Sequence, residues 1–217
     1  MKKAFTKILP FLNKGQKARM CKPYGQSLVE FAIALPVLVL ILTAMMEFGF
    51  ILNFYLSLLD ATREAARNVS GGDPFDVDAG TEFWGLAVNN VRVALDPSLD
   101  PNTGGSYQGR KLILVPSADD VIVTVYCVKD GVATAYSDNT GTPDSTGWRL
   151  YGNDTSAFTP AIIQSSYLSG APNAGLVLVE VYYSYHPVIG LFYNSPITLR
   201  AHTIMPANAA DPSPDCP

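Results

Sequence analysis

The sequence predicts an α+β fold: a long N-terminal helix able to cross a membrane, a second helix and an antiparallel sheet. Three observations predict it. Between Phe31 and Leu59 the chain is apolar and holds a single charge, Glu47. Thr81 to Leu95 places Trp84, Val88, Val91 and Leu95 at helical spacing. From Asp120 onward, alternating apolar runs such as DVIVTVYCVK and GLVLVEVYYSYH dominate. The expected organisation is a basic leader over 1–25, a transmembrane and projecting helix over 26–70, and an exported α+β domain over 71–217 with a mobile tail.

The apolar run is long enough to span a bilayer. About 20 helical residues cross a hydrocarbon layer of roughly 30 Å, and a helix from Gln26 to Arg67 would reach about 60 Å. A cleaved secretory signal would need an apolar region of roughly 7–15 residues and a small-residue site after it. This run is too long and no such site follows it closely. Orientation follows from the flanks. Lys2, Lys3, Lys7, Lys14, Lys17, Arg19 and Lys22 precede the run without any acid. Basic residues stay on the cytoplasmic side, so the N-terminus is cytoplasmic and the bulk of the chain is exported.

The remaining elements follow in order. From Leu58 the helix turns amphipathic, with Asp60, Arg63, Glu64 and Arg67 polar and Ala61, Ala65 and Ala66 small. Ser70-Gly71-Gly72-Asp73-Pro74 breaks it. Asp73, Asp76 and Asp78 form an acidic group, but their spacing lacks the closing glutamate of a calcium-binding EF-hand loop, so a solvated loop is expected. The second helix over Thr81–Leu95 buries its Trp84 stripe and ends at Asp96-Pro97. A loop leads to a short strand over Lys111–Val115. Asp120–Lys129 is a strand, Lys129-Asp130-Gly131 a turn, and Val132–Tyr136 a returning hairpin arm. Ser137–Gly147 is turn-rich, and Pro160–Tyr167 reads as a short helix. Gly175–His186 and Pro196–Met205 are the last strands. The aromatics Tyr182, Tyr183, Tyr185, Phe192 and Tyr193 suit either the sheet core or an interface.

Charge and motif content exclude several functions. The net charge is −4, but the leader holds seven of the 15 Lys and Arg, so the rest has 8 against 19 acids, or −11. An acidic exported part does not suit nucleic acid or a charge-driven hold on anionic lipid. His186 and His202 are the only imidazoles, and both fall in strand-like segments. No H-E-x-x-H, C-x-x-C, G-x-S-x-G or nucleotide-binding glycine loop occurs. No catalytic residue, metal site or cofactor is therefore expected. Asn68-Val69-Ser70 and Asn153-Asp154-Thr155 match the N-glycosylation pattern.

Gly25-Gln26-Ser27-Leu28-Val29-Glu30-Phe31 resembles the processing site of type IV prepilins. The longer stretch, with Glu30-Phe31-Ala32, Leu35-Pro36, Glu47-Phe48-Gly49 and the ATREAAR patch from Ala61 to Arg67, resembles the TadE-like family, minor pseudopilins of tight-adherence (Tad/Flp) pili. The likeness covers about residues 25–70, with a looser echo in the last strands. It implies a pilin-like α+β plan and cleavage by a prepilin peptidase between Gly25 and Gln26. It also implies a single-pass protein of the cytoplasmic (inner) membrane, assembled with other pilins or pseudopilins and the pilus assembly platform. On this reading Glu30 and Phe31 serve assembly. Glu30 would pair with the new ammonium on Gln26 of a neighbouring subunit, relieving two desolvation costs together.

Glu47 has two readings. It is either a polar contact to a partner helix within the membrane or filament, together with Gly49 and Pro36, or an acid buried in its neutral form. Ala61, Ala65 and Ala66 are further candidates for close helix packing. Pro36 removes one helix hydrogen bond and favours a bend. Cleavage would discard Cys21 and leave Cys127 and Cys216 in an oxidising compartment, as a disulfide or as two free thiols. The alternative function is an unprocessed, signal-anchored exported domain with its own binding or enzymatic role.

Overall fold

The computed structural model describes residues 25–75, 82–102, 104–109, 111–138, 140–166, 173–190 and 193–207. Helix α1 runs Gln26–Val69 and α2 Glu82–Leu95. Strands β1 (Asp120–Lys129), β2 (Val132–Tyr136) and β3 (Trp148–Arg149) follow, then α3 (Pro160–Ser166), β4 (Ala174–Tyr185) and β5 (Ile197–Ala207). The fold is α+β, as the sequence predicts.

The chain divides into two compact units between Leu42 and Thr43. The first contains the start of α1. There every large apolar side chain from Leu28 to Leu42 is exposed, apart from Gln26 nothing polar but Ser27 and Glu30 interrupts the run, and the helix continues through Pro36. The Val29 amide donates to the Gly25 carbonyl at 3.2 Å, so the first helical turn closes on the glycine.

The second unit joins the rest of α1 to the sheet. The sheet is antiparallel, in the order β2-β1-β4-β5, with β3 also paired to β1. Alternation along the strands sorts two faces. Val121, Val123, Val125, Val177, Val179, Val181 and Ala201 pack with Leu58, Ala61, Ala65, Ala66 and Val69 of α1 and with Trp84, Ala87, Val88 and Val91 of α2. Tyr126, Val128, Leu176 and Leu178 on the other face pack with Phe158 and with Ile163 of α3. Ala61, Ala65 and Ala66 are thus buried in this chain's own core. Their small size lets α1 approach the sheet and α2, a partner that helix periodicity alone does not reveal.

The hairpin turns at Asp130 and Gly131, whose φ values of 51° and 79° suit a two-residue turn. Lys111–Val115 is not a strand. Leu112 and Leu114 are buried and Ile113 and Val115 exposed, as in a strand, but the segment joins no ladder. Its amides instead donate to the Leu95 carbonyl at the end of α2 and to the Asp119 carboxylate. Alternation reports which side is buried and cannot report whether a neighbouring strand is available.

Candidate functional site

The side chains that tie α1 to the sheet lie on one stripe: Glu47, Ile51, Phe54, Leu58, Ala61, Thr62, Ala65, Ala66 and Val69, at steps of three and four. Such steps keep one helix face toward the core. Phe54 stacks on Tyr183 with centroids 5.8 Å apart and meets Tyr185 edge-on at 5.1 Å. The Thr62 and Thr203 hydroxyls share a 2.9 Å hydrogen bond between α1 and β5.

Glu47 occupies the stripe where β4 ends. The Tyr185 hydroxyl donates to Glu47 Oε1 at 2.6 Å. The consecutive amides of Val188 and Ile189 donate to Oε1 and Oε2 at 3.0 and 2.9 Å. Gly190 follows, with a φ of 61° that favours glycine. Both carboxylate oxygens are occupied by donors, and the two amides have nothing else to offer, which fits the ionised acid rather than the neutral one. Tyr185 is fully buried, and burial with the adjoining carboxylate pushes its hydroxyl up to about 12. The expectation of an acid aimed at a partner helix therefore meets a different geometry: the groups that satisfy Glu47 come from its own chain, 138 to 142 residues away. One signal in the sequence pointed here. Glu47 stands four, seven and eleven residues before Ile51, Phe54 and Leu58.

The other predicted residues lie apart from this junction. Glu30 and Phe31 are exposed in the first turns of α1. At Gly49 an added Cβ would meet nothing within 4 Å, so no packing inside the chain requires glycine there. Cys127 lies on β1 and is disulfide-bonded. Cys216, Cys21, Asp76, Asp78 and Phe192 lie outside the described residues.

A second polar cluster lies on the opposite sheet face. Glu180 is fully buried and accepts from the Ser156 hydroxyl at 2.5 Å, the Tyr182 hydroxyl at 3.1 Å and the Ala157 amide at 3.3 Å. Burial nevertheless raises its pKa above the usual carboxylate range. His202, opposite Glu180 on β5, packs on Phe158 with centroids 4.6 Å apart, and burial beside Arg200 lowers its pKa. Among the described residues, no group of three or more His, Cys, Asp or Glu is placed to hold a metal. Asn153, in the second glycosylation-like motif, donates both amide hydrogens to the Pro116 and Asp119 carbonyls.

Against this geometry the family comparison is informative. Residues 25–67 match the family model of TadE-like proteins. The match begins at the glycine before α1 and runs to two residues before the helix ends, so it includes Glu30, Glu47 and all but Val69 of the stripe that seats α1 on the sheet. It contains none of the sheet. No curated protein and no solved structure matches the chain significantly. The TadE-like segment supports a pilus-associated, pilin-like role and, with one N-terminal helix apolar and long enough to cross a membrane, a membrane anchor.

Proposed function

We propose that this protein is a TadE-like minor pseudopilin. It is inserted in the cytoplasmic membrane with its sheet domain exported and cut after Gly25 by a prepilin peptidase. It is then assembled with other pilins or pseudopilins and the assembly platform of a tight-adherence pilus serving adhesion or secretion. The observation that carries this reading is the start of α1. The helix begins at Gln26, the residue a prepilin peptidase would leave first, inside the TadE-like match, and it leaves Leu28 to Leu42 uncovered. Such a surface needs lipid or other helices around it, because water makes it costly at roughly 25 cal/mol per Å². Glu30 lies four residues after Gln26 on the same helix face, where it can meet the new ammonium of its own or a neighbouring subunit.

At Gly49 nothing of the chain lies within 4 Å of an added Cβ, which leaves room for a partner helix to pack closely. Cleavage would discard Cys21 and leave Cys216 as the proposed partner of the disulfide-bonded Cys127.

Glu30→Ala tests the assembly role in cells that make the pilus. A pseudopilin variant still inserts in the membrane but is lost from sheared pilus fractions, or the cells stop making pili. A variant that inserts and leaves pili unchanged in amount and composition counts against the reading and favours a plain anchored domain.

A further inference from the structure

The connection between β4 and β5 is one of the uncharged stretches of this acidic domain. From Pro187 to Pro196 it contains no Asp, Glu, Lys or Arg. Its described part turns apolar side chains outward: Val188 is 60 % exposed, Ile189 39 % and Tyr193 64 %. Single exposed apolar residues are ordinary on protein surfaces, and Ile113 or Val132 are of that kind, with Lys111, Lys129 and Asp130 close by in sequence. Val188, Ile189 and Tyr193 instead fall together on one loop, and exposed apolar residues grouped in this way mark contact surfaces.

The place where this loop is fastened gives it a meaning. Its Val188 and Ile189 amides are held by Glu47. Ser27 to Met46 is twenty residues, the length a helix needs to cross the hydrocarbon layer. Counted from Phe31, where the apolar run begins, the same length ends at Phe50, so Glu47 lies within about one turn of the point where the chain leaves the bilayer. The hydrogen bonds bring the loop to the same level. Tyrosine is favoured at that boundary, where its ring meets the acyl chains and its hydroxyl meets water.

We propose that Val188, Ile189 and Tyr193 form a membrane-contact surface, seated in the headgroup and acyl boundary of the bilayer that α1 crosses. This rests on the anchored reading above. The loop would act as a second foothold beside α1. Glu47 serves it by satisfying two loop amides that would otherwise face the bilayer interface unpaired. The contact is apolar, so it does not depend on anionic lipid.

Depth-dependent fluorescence quenching tests this on the full chain in phosphatidylcholine vesicles. A dansyl-bearing amino acid is placed, one position at a time, at positions 188, 193, 132 and 40. The lipids carry a doxyl quencher either near the headgroup or near the chain end. The proposal expects the probes at 188 and 193 to be quenched about twofold by the shallow quencher, at the depth of roughly 5–10 Å typical of interfacial segments. It expects the probe at 132, at the far end of the sheet, to be unaffected, and added phosphatidylglycerol to change nothing. Unquenched probes at 188 and 193 with a deeply quenched probe at 40 overturn the proposal and leave the anchor intact. An unquenched probe at 40 overturns the anchored reading itself. Probes at 188 and 193 that are shielded from a water-soluble quencher in native membranes, but unquenched in vesicles, overturn the lipid contact in favour of a protein subunit.

Discussion

The Tyr185 hydroxyl and the Glu47 carboxylate meet at 2.6 Å, joining the last residue of β4 to the apolar helix 138 residues earlier in the chain. Charge-assisted bonds of this kind are about twice as strong as neutral ones. Tyr185→Phe is expected to lower stability by ~1–2 kcal/mol, since the phenyl ring keeps the Phe54 contact and loses only the hydroxyl bond. Glu47→Ala is expected to cost more, because it also strands two amides. Denaturant unfolding of the full chain in detergent measures both. Equal stability of the three proteins would mean that the junction does not hold α1 to the sheet.

Glu180 gives a pH dependence with a definite sign. Its folded pKa is raised by burial, so the folded chain keeps a proton that the unfolded chain has released. Stability therefore falls as pH rises from the ordinary glutamate value through the raised one, and is level above it. Glu180→Gln removes this term and is expected to gain stability relative to the parent as pH goes from about 4 towards neutrality. Paired unfolding curves across that range check it. A constant difference between the two proteins would show that Glu180 titrates normally.

Two glycines with the same backbone separate strain from crowding. Gly147 and Gly152 have φ values of 78° and 81°. A Cβ on Gly147 would run into Ile122 Cγ2 and the Thr124 hydroxyl, whereas one on Gly152 would meet nothing within 4 Å. Gly152→Ala is expected to cost ~1–2 kcal/mol for the left-handed backbone alone. Gly147→Ala should add a further ~1–3 kcal/mol for overpacking. Thermal or denaturant unfolding of the two variants, side by side, tests the difference.

Much of the fold was legible because it is locally encoded. Asp120–Lys129 alternates without a break and forms β1 over that range, and the Asp130-Gly131 pair fixes the hairpin. The second helix is described over Glu82–Leu95 and ends where its periodicity placed the end, Thr81 lying outside the described residues. Lys111–Val115 misled because its alternation is served by amide bonds to the Leu95 carbonyl and to Asp119 in place of a strand. The site was only half legible. The glycine, the glutamate at the fifth position after it and the apolar run are contiguous and readable. The partners of Glu47 are not, since nothing local to residue 47 announces amides at 188 and 189. Ala61, Ala65 and Ala66 looked like intermolecular packing for the same reason: a small residue signals close approach but does not say to what.

The most direct test of the central claim is the N-terminal residue of the protein taken from its native membrane, read by mass spectrometry. A pseudopilin is expected to begin at Gln26, with the 25-residue leader gone. A chain that begins at Met1, or one cut beyond Leu59 as an ordinary secretory signal would be, contradicts it.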